Sequence, residues 1–157
     1  MKIKLLVIGK TDDKNLGQLI EKYQQRLNHY VNFEIEIIPD IKNVKNLSQL
    51  QQKEKEGELI LSKLKNTDQL VLLDEKGKEY RSLDFANFLQ KKMNSGIKQL
   101  VLVIGGPYGF SESVYKKTMG KVSLSKMTFS HQMIRLFIVE QLYRGFTILK
   151  NEPYHHE

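Results

Sequence analysis

Residues 100–104 of the chain read Leu-Val-Leu-Val-Ile, an apolar run typical of a buried strand, and residues 105–109 read Gly-Gly-Pro-Tyr-Gly. After a polar link, residues 122–131 read Val-Ser-Leu-Ser-Lys-Met-Thr-Phe-Ser-His and lead into a long apolar helix. Each of these two predicted strands therefore ends in a loop. Ligands bind beyond the carboxyl ends of the strands in open α/β sheets, so the two loops together predict a cofactor pocket.

The remaining chain alternates apolar runs of strand length with helical patterns. Strands that alternate with helices predict an α/β fold with a mostly parallel sheet, helices on both faces, and one domain over residues 1–157. The second predicted helix has a nearly all-polar middle at residues 51–58, which is either solvated or frayed. The predicted strands cover residues 3–8, 33–38, 70–73, 100–104 and 122–124; the predicted helices cover residues 16–30, 47–64, 82–95, 111–117 and 130–150, with Ser82 as a cap and a loop at residues 74–78.

The chain is basic and has no cysteine. It carries 25 Lys and Arg against 18 Asp and Glu, a formal net charge of +7. Such a surplus favours a polyanionic partner, because basic side chains that face phosphates release counterions; the alternative is a basic but inert surface. The absence of cysteine excludes disulfides and thiolate metal sites. The first apolar run is too short and too mixed for a signal peptide or a membrane span, so we expect a cytoplasmic protein.

The last predicted helix is apolar on two sides. Ile138 and Leu142 lie on one side, and Val139 and Phe146 lie on the other. One face of a sheet covers only one stripe of a helix, so a helix of this kind is buried twice. We therefore expect a homodimer, in which the second side packs against a partner subunit.

The glycine loop matches neither of the common phosphate-binding motifs. The spacing G-x-G-x-x-G is absent, and no Gly-Lys-Ser/Thr follows. The glycines either let the backbone approach a ligand or form a tight strand-to-helix turn. Ser125, Thr128, Ser130 and His131 likewise either cap the last helix or belong to the site.

Two charged residues and the end of the chain are further candidates. Glu140 and Arg144 are four residues apart, so they can pair on one helix face, as a buried ion pair or as part of a site. The chain ends Pro153-Tyr154-His155 and two further residues, which would ordinarily be a frayed terminus. Tyr and His are nevertheless suited to stacking on bases and to moving protons.

A set of short motifs, in order along nearly the whole chain, carries a family resemblance. The motifs are Lys55-Glu56-Gly57-Glu58; Leu73-Asp74 with Gly77-Lys78; residues 103–107 with Gly109; Leu124-Ser125-x-Met127-Thr128-Phe129-x-His131; Glu140-x-x-Tyr143-Arg144; and Pro153-Tyr154-His155. As a set they resemble the RlmH family, ribosomal large-subunit methyltransferases of the knotted SPOUT class. Ser130 departs from the family, which usually has proline there; the change affects the helix start but removes no functional group.

The resemblance implies a cofactor, a substrate and an assembly. The cofactor is S-adenosylmethionine, the acceptor is N3 of a pseudouridine in the 23S rRNA of the ribosome, and the protein is a homodimer with a trefoil knot near its carboxyl end. No metal is required. Carried over by position, the cofactor contacts fall on Leu73, Gly105, Leu124, Ser125, Lys126, Met127, Thr128 and Phe129, which coincide with the two loops.

The catalytic residues are expected in the last helix and the tail. Arg144 would hold the uracil-like ring and offset the negative charge that develops when N3 loses its proton. His155 is the candidate proton acceptor, Tyr154 would stack on or position the base, and Glu140 would orient Arg144. The tail would thereby complete the active site, and assembly of the site across the dimer is an arrangement to test. A non-catalytic RNA-binding module would instead show eroded loops or tail, and a SPOUT enzyme acting on tRNA would carry an RNA-binding extension.

Overall fold

The strands of the computed structural model, which describes residues 1–156, are β1 (Lys2–Ile8), β2 (Asn32–Ile38), β3 (Asp68–Glu79), β4 (Gln99–Ile104) and β5 (Gly120–Ser123). They form one sheet in the order β2-β1-β4-β3-β5. Each neighbouring pair is parallel. All strands therefore end at the same edge of the sheet, where the loops after β3, β4 and β5 lie side by side.

The helices lie on both faces of this sheet. They are α1 (Lys14–Leu27), α2 (Gln49–Ser62), α3 (Ser82–Asn94), α4 (Glu112–Lys117) and α5 (Met133–Leu149), and a short 3₁₀ turn covers Val44–Asn46. α5 packs between α1 and α3 on one face, whereas α2 and α4 pack together on the other. The arrangement confirms the predicted α/β class; the trefoil knot stays a prediction.

β1 shows why the sheet has two cores. Ile3, Leu5 and Val7 point into the core beneath α1, α3 and α5, while Leu6 and Ile8 point into the core beneath α2 and α4. Successive side chains of a strand point to opposite faces. A strand that is apolar at both odd and even positions is therefore buried on both faces, as the middle of a parallel sheet requires.

The loop expected at residues 74–78 is wrong, because β3 continues through it to Glu79. Leu73 and Lys78 both pair with Val122 of β5, so the residues between them bulge out of the ladder. Gly77 lies against the Val122 backbone, and a Cβ on it would sit 2.6 Å from that carbonyl carbon. The bulge is thus a tertiary feature, made by pairing with a strand more than forty residues later.

Two helix starts also differ from expectation. Ser82 is the first residue of α3 rather than its cap, which is Arg81, and the Ser82 hydroxyl donates to Gln141 Oε1 over 3.0 Å. α5 begins at Met133 rather than near Ser130, and Ser130 Oγ accepts from the Met133 N–H at 3.1 Å. Ser82 thus makes a long-range contact in place of a cap, whereas Ser130 makes the local contact of a capping residue to the N–H three residues later.

The polar middle of α2 is helical and is not frayed. Ser48 and Gln51 form a capping box at its start. Glu56 and Gly57 are buried within it. Gly57 allows α2 to approach α4, since a Cβ there would lie 2.2 Å from Ser111 Oγ. Of the two alternatives, the structure therefore favours a solvated helix, with Gln51, Glu54, Lys55 and Glu58 exposed and only Glu56 and Gly57 packed inside.

α5 is covered only in part. Ile138, Val139 and Leu142 are fully buried beneath the sheet, whereas Leu136 and Phe137 are half-buried. The protomer thus leaves part of the apolar surface of α5 open to solvent. No helix within residues 1–156 combines the length and the apolar character needed to cross a membrane.

Candidate active site

A cavity of about 770 Å³ opens at the carboxyl ends of β3, β4 and β5. Its volume lies within the range of small-molecule and cofactor sites. The glycine loop and the segment after β5 supply most of the lining residues. The lining residues are Lys53, residues 73–76, residues 104–110, Tyr115, residues 122–125, residues 127–131 and Ile134.

The glycine loop is a tight turn that also forms a wall of the cavity. The Gly109 N–H donates to the Gly106 carbonyl over 3.2 Å, and Gly109 adopts a φ of +78°, a conformation that suits glycine. A Cβ on Gly105 would lie 3.1 Å from the ring of Phe110, which is buried. The tight turn is therefore confirmed, and its residues also line the cavity; the approach of this backbone to a ligand stays a prediction.

Serine side chains shape the segment after β5. Ser123 Oγ donates to the Ser125 carbonyl at 2.9 Å, and Ser125 Oγ accepts from the Met127 N–H at 2.9 Å. The turn leaves the side chains of Met127 and Phe129 exposed, by 75% and 38% respectively. The segment therefore holds its own shape while its apolar side chains stay available to a ligand or a partner.

The structure gathers most of the predicted cofactor residues in one place. Leu73, Gly105, Leu124, Ser125, Met127, Thr128 and Phe129 all line the cavity. Lys126 does not line it, and its side chain is exposed between two lining neighbours. His131 also lines the cavity; from the sequence it was a candidate either for capping the last helix or for the site.

A tyrosine–aspartate pair in the cavity wall was missed by the sequence analysis. The Tyr115 hydroxyl of α4 donates to Asp74 Oδ2 in the bulge of β3. Burial, together with the hydrogen bond to Asp74, raises the pKa of Tyr115 to about 12. Tyr115 therefore remains a protonated donor that ties α4 to β3. Forty-one residues separate the two groups, and no local pattern links them.

A buried arginine positions the other side of the cavity. Arg135 is 2% exposed and donates to the carbonyls of Ile8 at 2.8 Å and Gly9 at 2.9 Å. Its Nε donates to the His131 carbonyl over 3.2 Å. Burial lowers the pKa of Arg135. The guanidinium joins the end of β1 to the start of α5 and so fixes the segment that carries His131. In the sequence, a charged residue within the apolar stripe of the last helix was the feature that could have drawn attention to Arg135.

The four predicted catalytic residues form a second cluster. Arg144 Nη2 lies 2.6 Å from Glu140 Oε1, and Arg144 Nη1 lies 3.3 Å from His155 Nδ1. The Tyr154 hydroxyl donates to Glu140 Oε1 over 3.0 Å, and its oxygen lies 3.3 Å from the Tyr23 hydroxyl, from which it can accept a hydrogen bond. The guanidinium carbon of Arg144 lies 4.7 Å from the centre of the Tyr154 ring. We name these four residues the tail cluster.

Two groups of the tail cluster, Arg144 and Tyr154, are held in their protonated forms. Although burial acts against it, the hydrogen bond and the charge of Glu140 raise the pKa of Arg144. Burial and hydrogen bonds to Tyr23 and Glu140 raise the pKa of Tyr154. Glu140 therefore holds the charged Arg144 in place and accepts a hydrogen bond from the protonated Tyr154 hydroxyl. The tail is accordingly docked on α1 and α5 through residue 155, not frayed.

The tail cluster and the cavity lie at opposite ends of α5. Ile134 lines the cavity and Arg144 follows it by ten residues, a separation of about 15 Å along a helix axis. Within residues 1–156, none of the four tail-cluster residues lines the cavity. A single protomer thus holds the two predicted parts of the active site apart.

Comparison with known proteins identifies the fold and the family. A probable methylase family protein from Haemophilus influenzae Rd KW20 superposes with a TM-score of 0.55 at 10% identity, covering 95% of this chain and 66% of that one. At this identity the likeness concerns the fold alone. A family described as predicted SPOUT methyltransferase matches residues 1–155.

Curated relatives match over the full length. Ribosomal RNA large subunit methyltransferase H of Flavobacterium psychrophilum is 73% identical over 157 residues, and that of Flavobacterium johnsoniae is 72% identical, each covering 100% of both chains. The corresponding protein of Christiangramia forsetii is 65% identical over 156 residues, 99% of both chains. The parallel α/β sheet, the cavity at the strand ends, and the motifs of the two loops and the tail agree with these relatives. The chain therefore belongs to the SPOUT methyltransferases and, among them, to the RlmH family.

Proposed function

We propose that this protein methylates N3 of a pseudouridine in 23S rRNA of the large ribosomal subunit, with S-adenosylmethionine as methyl donor. The observation that carries the proposal is the cavity at the strand ends. Seven of the eight residues expected to contact the cofactor line it. The relatives of similar length that are named as large-subunit rRNA methyltransferases support the type of substrate.

The residues around the cavity fit the cofactor. Its volume of about 770 Å³ accommodates a nucleoside with an amino-acid arm, and its wall combines backbone polar groups with the apolar side chains of Leu73, Leu124 and Met127. The cofactor supplies a methyl group that is already activated by a sulfonium. The protein therefore mainly has to align the acceptor base and manage the N3 proton, and alignment alone is a large contribution.

The tail cluster provides the groups that position the acceptor base and manage the N3 proton. Arg144 is held by Glu140 and carries a charge that would offset the negative charge on the deprotonated base. His155, in contact with Arg144, is the proposed proton acceptor, and Tyr154 the group that positions the base. These roles suit their chemistry: histidine titrates near neutral pH, and a tyrosine ring offers a face for a base.

We further propose that each active site is shared by two protomers of a homodimer. Reacting atoms must approach to about 3–3.5 Å, whereas the tail cluster lies about 15 Å along α5 from the cavity. The apolar surface that remains open on α5 includes Phe137, whose ring packs 4.8 Å from that of Phe129 at the cavity. A partner that covers this surface can bring its own tail cluster to the cavity.

The charge of the protein supports a ribosomal substrate. The net charge of +7 is doubled in a dimer, and Lys53 and Lys76 line the cavity itself. Lys126 projects beside them into solvent, a position better suited to a phosphate than to the cofactor. We place the protein in the cytoplasm, where the ribosome is its substrate.

Nucleoside mass spectrometry of 23S rRNA tests the proposal. Cells that lack the gene are complemented with the wild type, with Arg144→Ala or with Lys150→Ala, an exposed change at the end of the same helix. We expect N3-methylpseudouridine with the wild type and with Lys150→Ala, and its loss with Arg144→Ala. An equal level of the nucleoside with and without the gene would contradict the proposed reaction and favour a non-catalytic RNA-binding role.

A further inference from the structure

Glu56 is a buried carboxyl group that lies directly behind the glycine loop. It is 3% exposed and lies in the middle of α2. A Cβ on Gly106 would lie 2.3 Å from Glu56 Oε2 and 2.6 Å from Oε1. The carboxyl group therefore occupies the space that a side chain at position 106 would need, on the side of the loop away from the cavity. Gly106 lines the cavity and Glu56 does not.

One oxygen of this carboxyl group has no hydrogen-bond partner. Glu56 Oε1 accepts from Gln52 Nε2 over 3.1 Å, whereas Oε2 is buried and makes no hydrogen bond within residues 1–156. Leaving a buried polar atom unsatisfied is costly, and such atoms in a native fold point to a role in function. Gly106 of the glycine loop lies beside this carboxyl group, and the backbone of the loop offers both N–H and carbonyl groups.

From this contact we infer that Glu56 is a positioning residue for the cofactor: it supports the glycine loop from behind, and its Oε2 forms a hydrogen bond with the loop backbone when the cavity is filled. The inference deepens the proposed function and rests on it. It assigns a role to a residue that touches neither cofactor nor substrate. The loop is the element through which Glu56 would act.

The surroundings of Glu56 favour the protonated acid as the form that makes this bond. Burial raises the pKa of Glu56; the hydrogen bond from Gln52 acts against the rise, and the charge of Asp40, which follows β2, adds to it. At the start of α4, Ser111 and Val114 face Gly57, the residue after Glu56, and neither of them is an ionisable group near neutral pH. A protonated carboxyl can donate from Oε2 to a loop carbonyl, as an ionised one cannot.

This assignment makes cofactor binding dependent on pH. If the protonated acid engages the loop, binding takes up a proton wherever Glu56 is ionised in the free protein. The affinity for S-adenosylmethionine should then fall as the pH rises through the range in which Glu56 loses its proton, which lies above the ordinary range of a glutamate because burial raises its pKa. An amide carries the same donor at any pH, so Glu56→Gln should bind with an affinity that does not change over this range.

Calorimetric titration of the full-length protein with S-adenosylmethionine tests the inference, in buffers that differ in ionisation enthalpy. Glu58→Gln, an exposed change two residues further along α2, is the matched control. At a pH at which Glu56 is ionised in the free protein, we expect proton uptake with the wild type and with Glu58→Gln, and no such uptake with Glu56→Gln. Binding should weaken about tenfold or more with Glu56→Ala. A Glu56→Gln protein with the proton uptake and pH profile of the control would overturn the inference, even if its thermal stability changed.

A double-mutant cycle checks the contact itself. Gly106→Ala places a methyl group against the carboxyl, so it should weaken cofactor binding strongly when Glu56 is present. In the double variant Gly106→Ala/Glu56→Ala, that space is free and part of the affinity should return. Equal losses from Gly106→Ala in both backgrounds would also overturn the inference. A folded wild type that binds no S-adenosylmethionine at any pH would instead contradict the proposed function, and the inference with it.

Discussion

Gly105 and Gly106 are adjacent in the sequence, but different parts of the protein surround them. A side chain on Gly105 would meet the buried ring of Phe110, whereas one on Gly106 would meet the carboxyl group of Glu56. Neither position adopts a positive φ, unlike Gly109. The requirement for glycine at these two positions is therefore one of space, set by packing against residues from other parts of the fold.

Gly105→Val should abolish or strongly weaken cofactor binding. The added atoms displace Phe110 and shift the loop that lines the cavity, and overpacking of this kind costs about 1–3 kcal/mol. We expect the dissociation constant of S-adenosylmethionine, measured by calorimetry, to rise about tenfold or more. Gly120→Val is the control, because a Cβ there meets nothing within 4 Å. Unchanged affinity of Gly105→Val, with a native circular dichroism spectrum, would show that the loop does not contact the cofactor.

At the scale of secondary-structure elements, an ion-pair network joins β1, β2 and the end of α2. The Lys4 ammonium pairs with Glu36 and, at 3.5 Å, with Glu34; Lys2 lies 2.9 Å from Glu34 and Lys63 lies 3.1 Å from Glu36. Lys2 and Lys4 occupy the first part of a face of β1 that becomes apolar at Leu6. The network thus covers the end of the sheet opposite the cavity and sets the alignment of the edge strand β2.

Glu36→Gln should destabilise the protein in a pH-dependent manner. The hydrogen bond from Lys4 lowers the pKa of Glu36 despite its partial burial, and Lys63 adds to the effect. A lowered folded-state pKa gives stability that is present above the unfolded-state pKa and is lost as the pH falls through the folded-state pKa. We expect a loss of about 1 kcal/mol or less at neutral pH, and no difference from the wild type in strong acid.

Urea denaturation at several pH values measures this difference. Glu54→Gln, an exposed change in α2, serves as the control and should leave the free energy of unfolding unchanged at every pH. A Glu36→Gln protein as stable as the wild type at neutral pH would show that the network does not contribute measurably.

At the scale of the whole molecule, α5 connects the cavity to the tail cluster and separates them. The two regions therefore belong to different ends of one protomer, and a shared site requires a partner. Arg144 and His155 are in contact within a single chain. A mixture of Arg144→Ala and His155→Ala protomers consequently restores no site, because every tail cluster carries a defect. An informative mixture combines a cavity variant with a tail variant.

Heterodimers of a Gly105→Val protomer and an Arg144→Ala protomer should recover activity. If each site joins the cavity of one protomer to the tail cluster of the other, one of the two symmetric sites is fully wild type, so about half the turnover returns. Heterodimers purified through two different affinity tags and confirmed by native mass spectrometry provide the measurement. Activity no higher than that of either homodimeric variant would mean that each tail serves its own subunit.

Binding to the ribosome should weaken steeply as salt rises. Each protomer carries a net charge of +7, and each phosphate contact made by Lys or Arg releases counterions. For several such contacts we expect the affinity to fall by orders of magnitude between about 50 and 200 mM salt. Sedimentation of the protein with large ribosomal subunits measures this. Binding that is insensitive to ionic strength would contradict a phosphate-based interface, and efficient methylation of naked 23S rRNA would contradict an assembled-ribosome substrate.

The sequence by itself determined the fold class and the place of the cavity beyond the strand ends. Alternating strand and helix patterns report which faces are buried, and these patterns repeat over a few residues, as at residues 100–104. The two loops stood out because residues 105–109 are rich in glycine and because both loops follow strands. Their cofactor and catalytic assignments came from the family motifs, and the family itself is confirmed by the relatives.

Only the tertiary structure decided which distant groups meet. Tyr154 contacts Tyr23 across 131 residues of chain, and Tyr115 contacts Asp74 across 41, so no local periodicity records either pair. The bulge in β3 and the burial of Glu56 likewise depend on neighbours supplied by other elements. A polar stretch buries a carboxyl group, or a strand continues through an apparent loop, only when packing from elsewhere in the chain favours it.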